Sequence, residues 1–196
     1  MTARRTAALL LLLAVLTSCG QEGERAARSV PAPSRTPTAA ASADATDSAW
    51  VQLMIPMNEQ AVVLLDLAAE RSTVPRLRSW AARLRGAQTT ELLSLRELRD
   101  RMGLPDTDVH EGHDMPGMVT ADDFESAREA EGAAFDRLVV ALIRDHLRRS
   151  EQVSRSETTA GGRADARARA RKLVTARGEQ LAALTALCAG RAADVP

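Results

Sequence analysis

The residues best able to do chemistry lie in one short stretch, His110-Glu111-Gly112-His113-Asp114-Met115-Pro116-Gly117-Met118. It holds two imidazoles and two thioethers within nine residues. Thioethers are soft donors that favour Cu(I) or Ag(I), whereas imidazoles accept Cu(I), Cu(II) or Zn(II). A mixed set suits copper better than zinc. Glycines at 112 and 117 would let the segment fold around an ion. The same Gly, Pro and Asp content also suits a solvated connector that binds nothing. Three further residues stand as candidate ligands or as ordinary packing. Met54 and Met57 lie one helical step apart on an apolar stripe, and methionines at that spacing usually pack. His146 follows Leu142 and Ile143 by one turn and should face inward, as a core imidazole or as a ligand.

Other chemistries find no support. No helix carries the Glu-x-x-His pattern of a di-iron carboxylate centre. His110-Glu111-Gly112-His113 has the wrong spacing for a helical His-Glu-x-x-His zinc site. There is no glycine-rich phosphate loop and no cysteine in a reactive setting, so no enzymatic activity is expected. Basic and acidic residues balance at 26 each, which excludes a strong field aimed at nucleic acid. The arginine-rich run ADARARARK, 164–172, reads as a solvated helix face.

The elements that must position these groups are helical. Trp50, Leu53, Met54, Met57, Ala61, Leu64, Leu65 and Ala68 recur in steps of three and four, starting near Asp47, a plausible N-cap. Pro56 falls inside that stripe. It either kinks the helix, or the regular helix starts there after a lead-in turn. A second helix opens at Pro75, carries Leu77, Ala81, Leu84, Leu92, Leu95, Leu98 and Met102, and stops at Gly103. After the loop, a third starts at Thr120, with Asp123 as a capping-box partner. It should bury Phe124, Ala127, Phe135, Leu138, Leu142 and His146. The fourth follows Gly161-Gly162 with Ala166, Ala170, Leu173, Leu181, Leu184 and Cys188. Cys188 reads as a small buried apolar residue or, less simply, as a metal ligand. The segment Ala81–Leu95 matches Ala170–Leu184 at an offset of 89 residues. The expected fold is therefore all-α, a four-helix bundle of two repeated antiparallel hairpins over 47–190, followed by a disordered tail, 191–196.

The N-terminus speaks about location. MTARRTAALLLLLAVLTSCG has a basic start, a short apolar run and Leu16-Thr17-Ser18-Cys19, a lipobox-like end. The expectation is a lipoprotein signal peptide over 1–18 and lipidation of Cys19. An Ala-, Pro-, Ser- and Thr-rich tether over 19–46 would then hold the domain to the extracytoplasmic face of the membrane.

Three segments together, MIPMNEQA at 54–61, GHDMPGM at 112–118 and LIRDH at 142–146, resemble the domain of unknown function 305 (DUF305) family of exported helical proteins. The resemblance spans about Asp47 to Leu187. It implies a helical fold and, since some members are associated with copper, suggests that ion. Family members typically carry histidine pairs where this chain has Met57-Asn58 and Asp145-His146. The resemblance therefore implies ligands only at His146 and, in the loop, at His113, Met115 and Met118, with Met57 offering a different donor at a ligand-like position. The expected function is binding of copper or a similar soft ion for sequestration or handover, with His110 as a further ligand and an envelope or metal-handling protein as partner. The alternative is a metal-free interaction lipoprotein that has lost its ion.

Overall fold

The computed structural model describes the backbone of residues 39–193 and the side chains of 45–190. The expected signal peptide, 1–18, Cys19 and the side chains of the expected tail, 191–196, lie outside the described residues. Within them there are five helices and no strand: α1 (Ala39–Arg71), α2 (Pro75–Arg101), α3 (Ala121–Glu129), α4 (Gly132–Ala160) and α5 (Ala164–Ala193). The short connections 72–74 and 161–163 return the chain on itself, so that α2 packs along α1 and α5 along α4. Helix α1 packs in turn on α4. None of the described helices is long and apolar enough to cross a membrane.

Helix α1 starts at Ala39, ahead of Asp47 and within the segment read as tether, and runs through Pro56. Of the two sequence readings of Pro56, the structure takes the one in which the proline sits inside the helix. Its missing N–H leaves one turn without its usual bond to the Gln52 carbonyl. Two residues on, Asn58 Nδ2 donates to the Met54 carbonyl at 2.8 Å. Asp47 is not the cap of its own helix. Its carboxylate accepts the backbone N–H groups of Gly162 and Arg163, at the entrance to α5.

The third helix expected from Thr120 onward is two helices. Thr120 and Asp123 form the expected capping box at the start of α3. The chain then breaks at Ala130 and Glu131. Gly132 holds φ at +54°, a conformation that side-chain-bearing residues avoid. Arg71, at the end of α1, fixes the break by donating to the carbonyls of Ala127, Arg128 and Ala130 at 2.8–3.0 Å. Its guanidinium also lies 4.7 Å above the Phe135 ring. Thr73 donates through N–H and Oγ1 to Asp136, which ties the α1–α2 turn to α4.

The core consists of two apolar clusters. One gathers Leu64, Leu65, Leu77, Trp80, Leu84, Phe135, Val139, Ile143, Leu147 and Leu184. The other gathers Trp50, Met54, Met57, Leu92, Leu95, Leu98, Met118, Ala166, Ala170 and Leu173. Each fully buried large side chain contributes about 1.5–3 kcal/mol. Along every long helix, buried or largely buried polar residues lie near the boundary of the two sets: Asn58 on α1, Gln88 and Glu91 on α2, His146 and Ser150 on α4, Arg177 on α5.

Arg177 organises this layer. Its side chain is 0% exposed. Nη1 and Nη2 meet the two carboxylate oxygens of Glu91 at 3.0 and 2.7 Å. Nε donates to Ser150 Oγ at 2.7 Å, and Nη2 also donates to Asn58 Oδ1 at 3.1 Å. Gln180 Oε1 accepts from Nη1 at 3.0 Å. One guanidinium thus joins α1, α2, α4 and α5. Two members of the layer, Gln88 and His146, keep their side-chain polar atoms buried without a protein partner.

Glu91→Leu leaves the Arg177 charge buried and uncompensated and should cost about 3–5 kcal/mol in denaturant unfolding. Adding Arg177→Met should restore most of that loss; simple addition of two losses would show that the pair is not coupled. Separately, Gly132→Ala should cost about 1–2 kcal/mol through its left-handed backbone alone, because a Cβ there meets open space. Gly86→Ala, in the exposed middle of α2, should gain about 0.5–1 kcal/mol in the same measurement.

Candidate metal centre

The loop between α2 and α3 divides into an outer and an inner half. The outer half carries His110 and His113, whose ring centroids stand 6.4 Å apart at 65°. With Gln60, Asp108, Asp114, Asp122 and, at its inner wall, Met118, they line an open pocket of about 400 Å³. His113 is exposed and His110 half-exposed. Among the described residues, no group of three or more His, Cys, Asp or Glu side chains is gathered closely enough to hold a metal ion. The two loop imidazoles therefore do not join His146.

The inner half turns back onto the helices. Val119 N–H donates to Gln60 Oε1 at 3.0 Å, which pins the end of the loop to α1. Gly117 is buried with φ at +85°. A Cβ built on it would stand 2.3 Å from Arg149 Cβ and 3.1 Å from Met57 Cε. Both the backbone conformation and the space demand glycine here. This approach carries the next residue, Met118, into the core, where it is only 8% exposed. Met115 is half-buried and packs against the same cluster, as does Met102. Met54 and Met57 are fully buried in it. All five methionines of the described residues thus belong to one cluster. A single weak polar contact reaches these sulfurs, from Ser154 Oγ to Met54 Sδ at 4.0 Å.

His146 borders this assembly from α4. It is 1% exposed, and neither ring nitrogen has a hydrogen-bond partner. Burial, and then the nearby Arg177 guanidinium, lower its pKa to about 3, while the Gly117 backbone pulls the other way. The imidazole is therefore neutral at physiological pH, with a lone pair free. Gly117 is the common neighbour of Met57 and His146. A neutral imidazole beside buried thioethers is a donor set for a soft monovalent cation. The Arg177 charge beside it opposes cation binding, partly offset by Glu91.

Of the residues expected as ligands, Met57, Met115 and Met118 share one cluster, Gly117 links Met57 to His146, and Met118 also lines the outer pocket that holds His110 and His113. Cys188 lies elsewhere, half-buried, with Arg144 Nη2 at 3.6 Å from its sulfur. Sequence reasoning passed over Asn58, Gln88 and Arg177. The signal was present in the periodicity. Leu84, Leu92 and Leu95 leave a gap that Gln88 fills, and Leu173, Leu181 and Leu184 leave one that Arg177 fills.

Comparison with known proteins agrees with this architecture. The DUF305 family model, a domain of unknown function, matches residues 47–188. No curated protein matches the chain. Among solved structures, a DUF305 protein of Streptomyces coelicolor named as a secreted protein has a TM-score of 0.67 at 19% identity, covering 76% of this chain and 96% of its own. A DUF305 fragment from Deinococcus radiodurans has a TM-score of 0.65 at 19% identity, with coverages of 72% and 94%. CopM in its Cu(II)-bound form has a TM-score of 0.61 at 16% identity, also covering 72% and 94%. At such identities the likeness concerns the fold. The match over most of its folded length shows that this chain belongs to the DUF305 family.

Proposed function

We propose that this protein is an exported, lipid-anchored binder of Cu(I) or a similar soft ion, serving sequestration or handover at the cell envelope rather than catalysis. In this reading the four long helices form a bundle of two related hairpins, with α3 as an added turn, and Cys19 carries the lipid. The observation that carries the proposal is that all five described methionines belong to one apolar cluster, and that Gly117 neighbours both Met57 of that cluster and the buried, neutral imidazole of His146. Met57, Met118 and His146 would be the primary ligands, with Met115 at the entrance. All of these donors are uncharged, so binding needs no deprotonation at neutral pH. The known copper-bound CopM structure supports the choice of ion through its shared fold only.

The outer pocket has a separate part. Its two imidazoles, with no third His, Cys, Asp or Glu among the described residues gathered to complete a site, suit only a passing contact with an ion on its way inward. A metal-handling envelope protein would be the natural donor or recipient, and nucleic acid would not be a partner. One observation favours the rival reading of a metal-free interaction module. Arg177 places a permanent cation against Asn58, directly after Met57 in the chain.

Titration with Cu(I) against a chromogenic chelator separates the two readings. The protein should take up about one tight equivalent. Met57→Leu with Met118→Leu keeps core volume and should abolish uptake. His110→Ala with His113→Ala should leave that equivalent in place. Absence of uptake by the unaltered protein would favour the interaction module.

A further inference from the structure

Two carboxyl groups meet where the described side chains of α1 begin. Asp47 is fully buried, and its oxygens already accept three backbone contacts, from Gly162 N–H at 3.0 and 3.3 Å and from Arg163 N–H at 2.9 Å. Glu157, in the last turn of α4, is 1% exposed, and neither of its oxygens meets a donor. Gly161 lies against both groups. A Cβ on it would stand 2.1 Å from Glu157 Oε1 and 2.7 Å from Asp47 Oδ1. These two oxygens are therefore no more than about 5 Å apart.

The surroundings supply little countercharge. From α5, Arg167 is the cation whose field reaches Glu157, and its Nη1 is engaged by the Gly161 carbonyl at 2.8 Å. Arg163 presents its backbone N–H to Asp47 while its guanidinium meets Asp165. From α1, the titratable neighbour is Asp47 itself. The adjoining groove is lined by Glu157 itself, by Thr46 and Ser156, and by apolar residues of α1 and α4 including Trp50 and Leu53, with no other charged side chain among them. Two buried acceptors this close, one without any donor, call for a proton between them.

We propose that Asp47 and Glu157 share one proton at neutral pH, and that this proton latches α1 at Asp47 to the α4–α5 turn. Glu157 would donate through its protonated oxygen to Asp47, which in turn holds the two N–H groups ahead of α5. Loss of the proton sets two buried negative charges side by side and weakens the latch between α1 and the α4–α5 turn. The site is separate from the methionine cluster's loop and does not depend on metal binding.

The linkage has a definite sign. Burial first, and then Asp47, raise Glu157 from 4.5 to about 8. Between those values the folded chain keeps a proton that the unfolded chain has lost, so stability falls as pH rises and levels off above 8. His146, lowered from 6.5 to about 3, acts in the opposite direction over its own, more acidic range. Between 6.5 and 8 the Glu157 effect stands clear of it.

Denaturant unfolding of the full chain from pH 6 to pH 9.5 tests the latch. The folding constant should fall roughly tenfold per pH unit between about 6.5 and 8 and then flatten. Glu157→Gln, which keeps shape and a donor, should remove that slope. As a second readout, Trp50 emission in a Trp80→Phe background should change with a midpoint near 8 in the otherwise unaltered chain. An unchanged slope in Glu157→Gln, or a Trp50 signal that stays constant across this range, would overturn the proposal.

Discussion

The approach of residue 117 to α1 and α4 is the constraint on which the functional reading depends. A loop that touches helices only through side chains could drift and carry its methionines with it. Here the main chain itself is inserted between Met57 and Arg149, in space that no Cβ could share. The Gln60 side chain holds the next turn of backbone from α1. Met118 is thereby held against the same cluster as Met54 and Met57, with one side on the outer pocket. A segment that reads as a polar connector is, in its second half, a structural layer of the domain.

The second organising feature is the buried guanidinium of Arg177. A charge fully removed from water is tolerated only when it is paired and its N–H groups are satisfied. Glu91, Ser150, Asn58 and Gln180 meet that requirement from three helices besides the short-range contact on α5 itself. The arrangement specifies which turns of the helices lie level with one another, because a slip by one turn would strand the charge. It also sets the electrostatics around His146, whose imidazole is kept neutral by burial and by that same cation. Scaffold and candidate site are therefore coupled through one side chain.

Much of this was legible in the sequence. Apolar steps of three and four placed all four long helices, and Pro75, Gly103 and the Thr120–Asp123 box marked ends that the structure bears out. The break before α4 was not legible, because it depends on Arg71 reaching across from α1 to carbonyls more than fifty residues away. The Asp47 carboxylate was read as a local cap, yet its partners lie at the other end of the chain, beyond any short-range signal. For the site, donor types and their clustering could be read, and their depth could not. Nothing in His113 or Met118 as letters distinguishes an exposed imidazole from a buried thioether. That distinction comes from the left-handed turn at Gly117 and the tertiary space it enters. Arg177 and Gln88 were hidden by the habit of reading a periodic stripe as apolar throughout.

The central claim is that sulfur from the core, with one imidazole, forms the site. X-ray absorption at the copper edge, on protein loaded with Cu(I) under reducing conditions, examines that claim at the ligand atoms. The account predicts a first shell dominated by sulfur scatterers with a single imidazole signature. A shell of nitrogen and oxygen alone would place the ion in the outer pocket and contradict it.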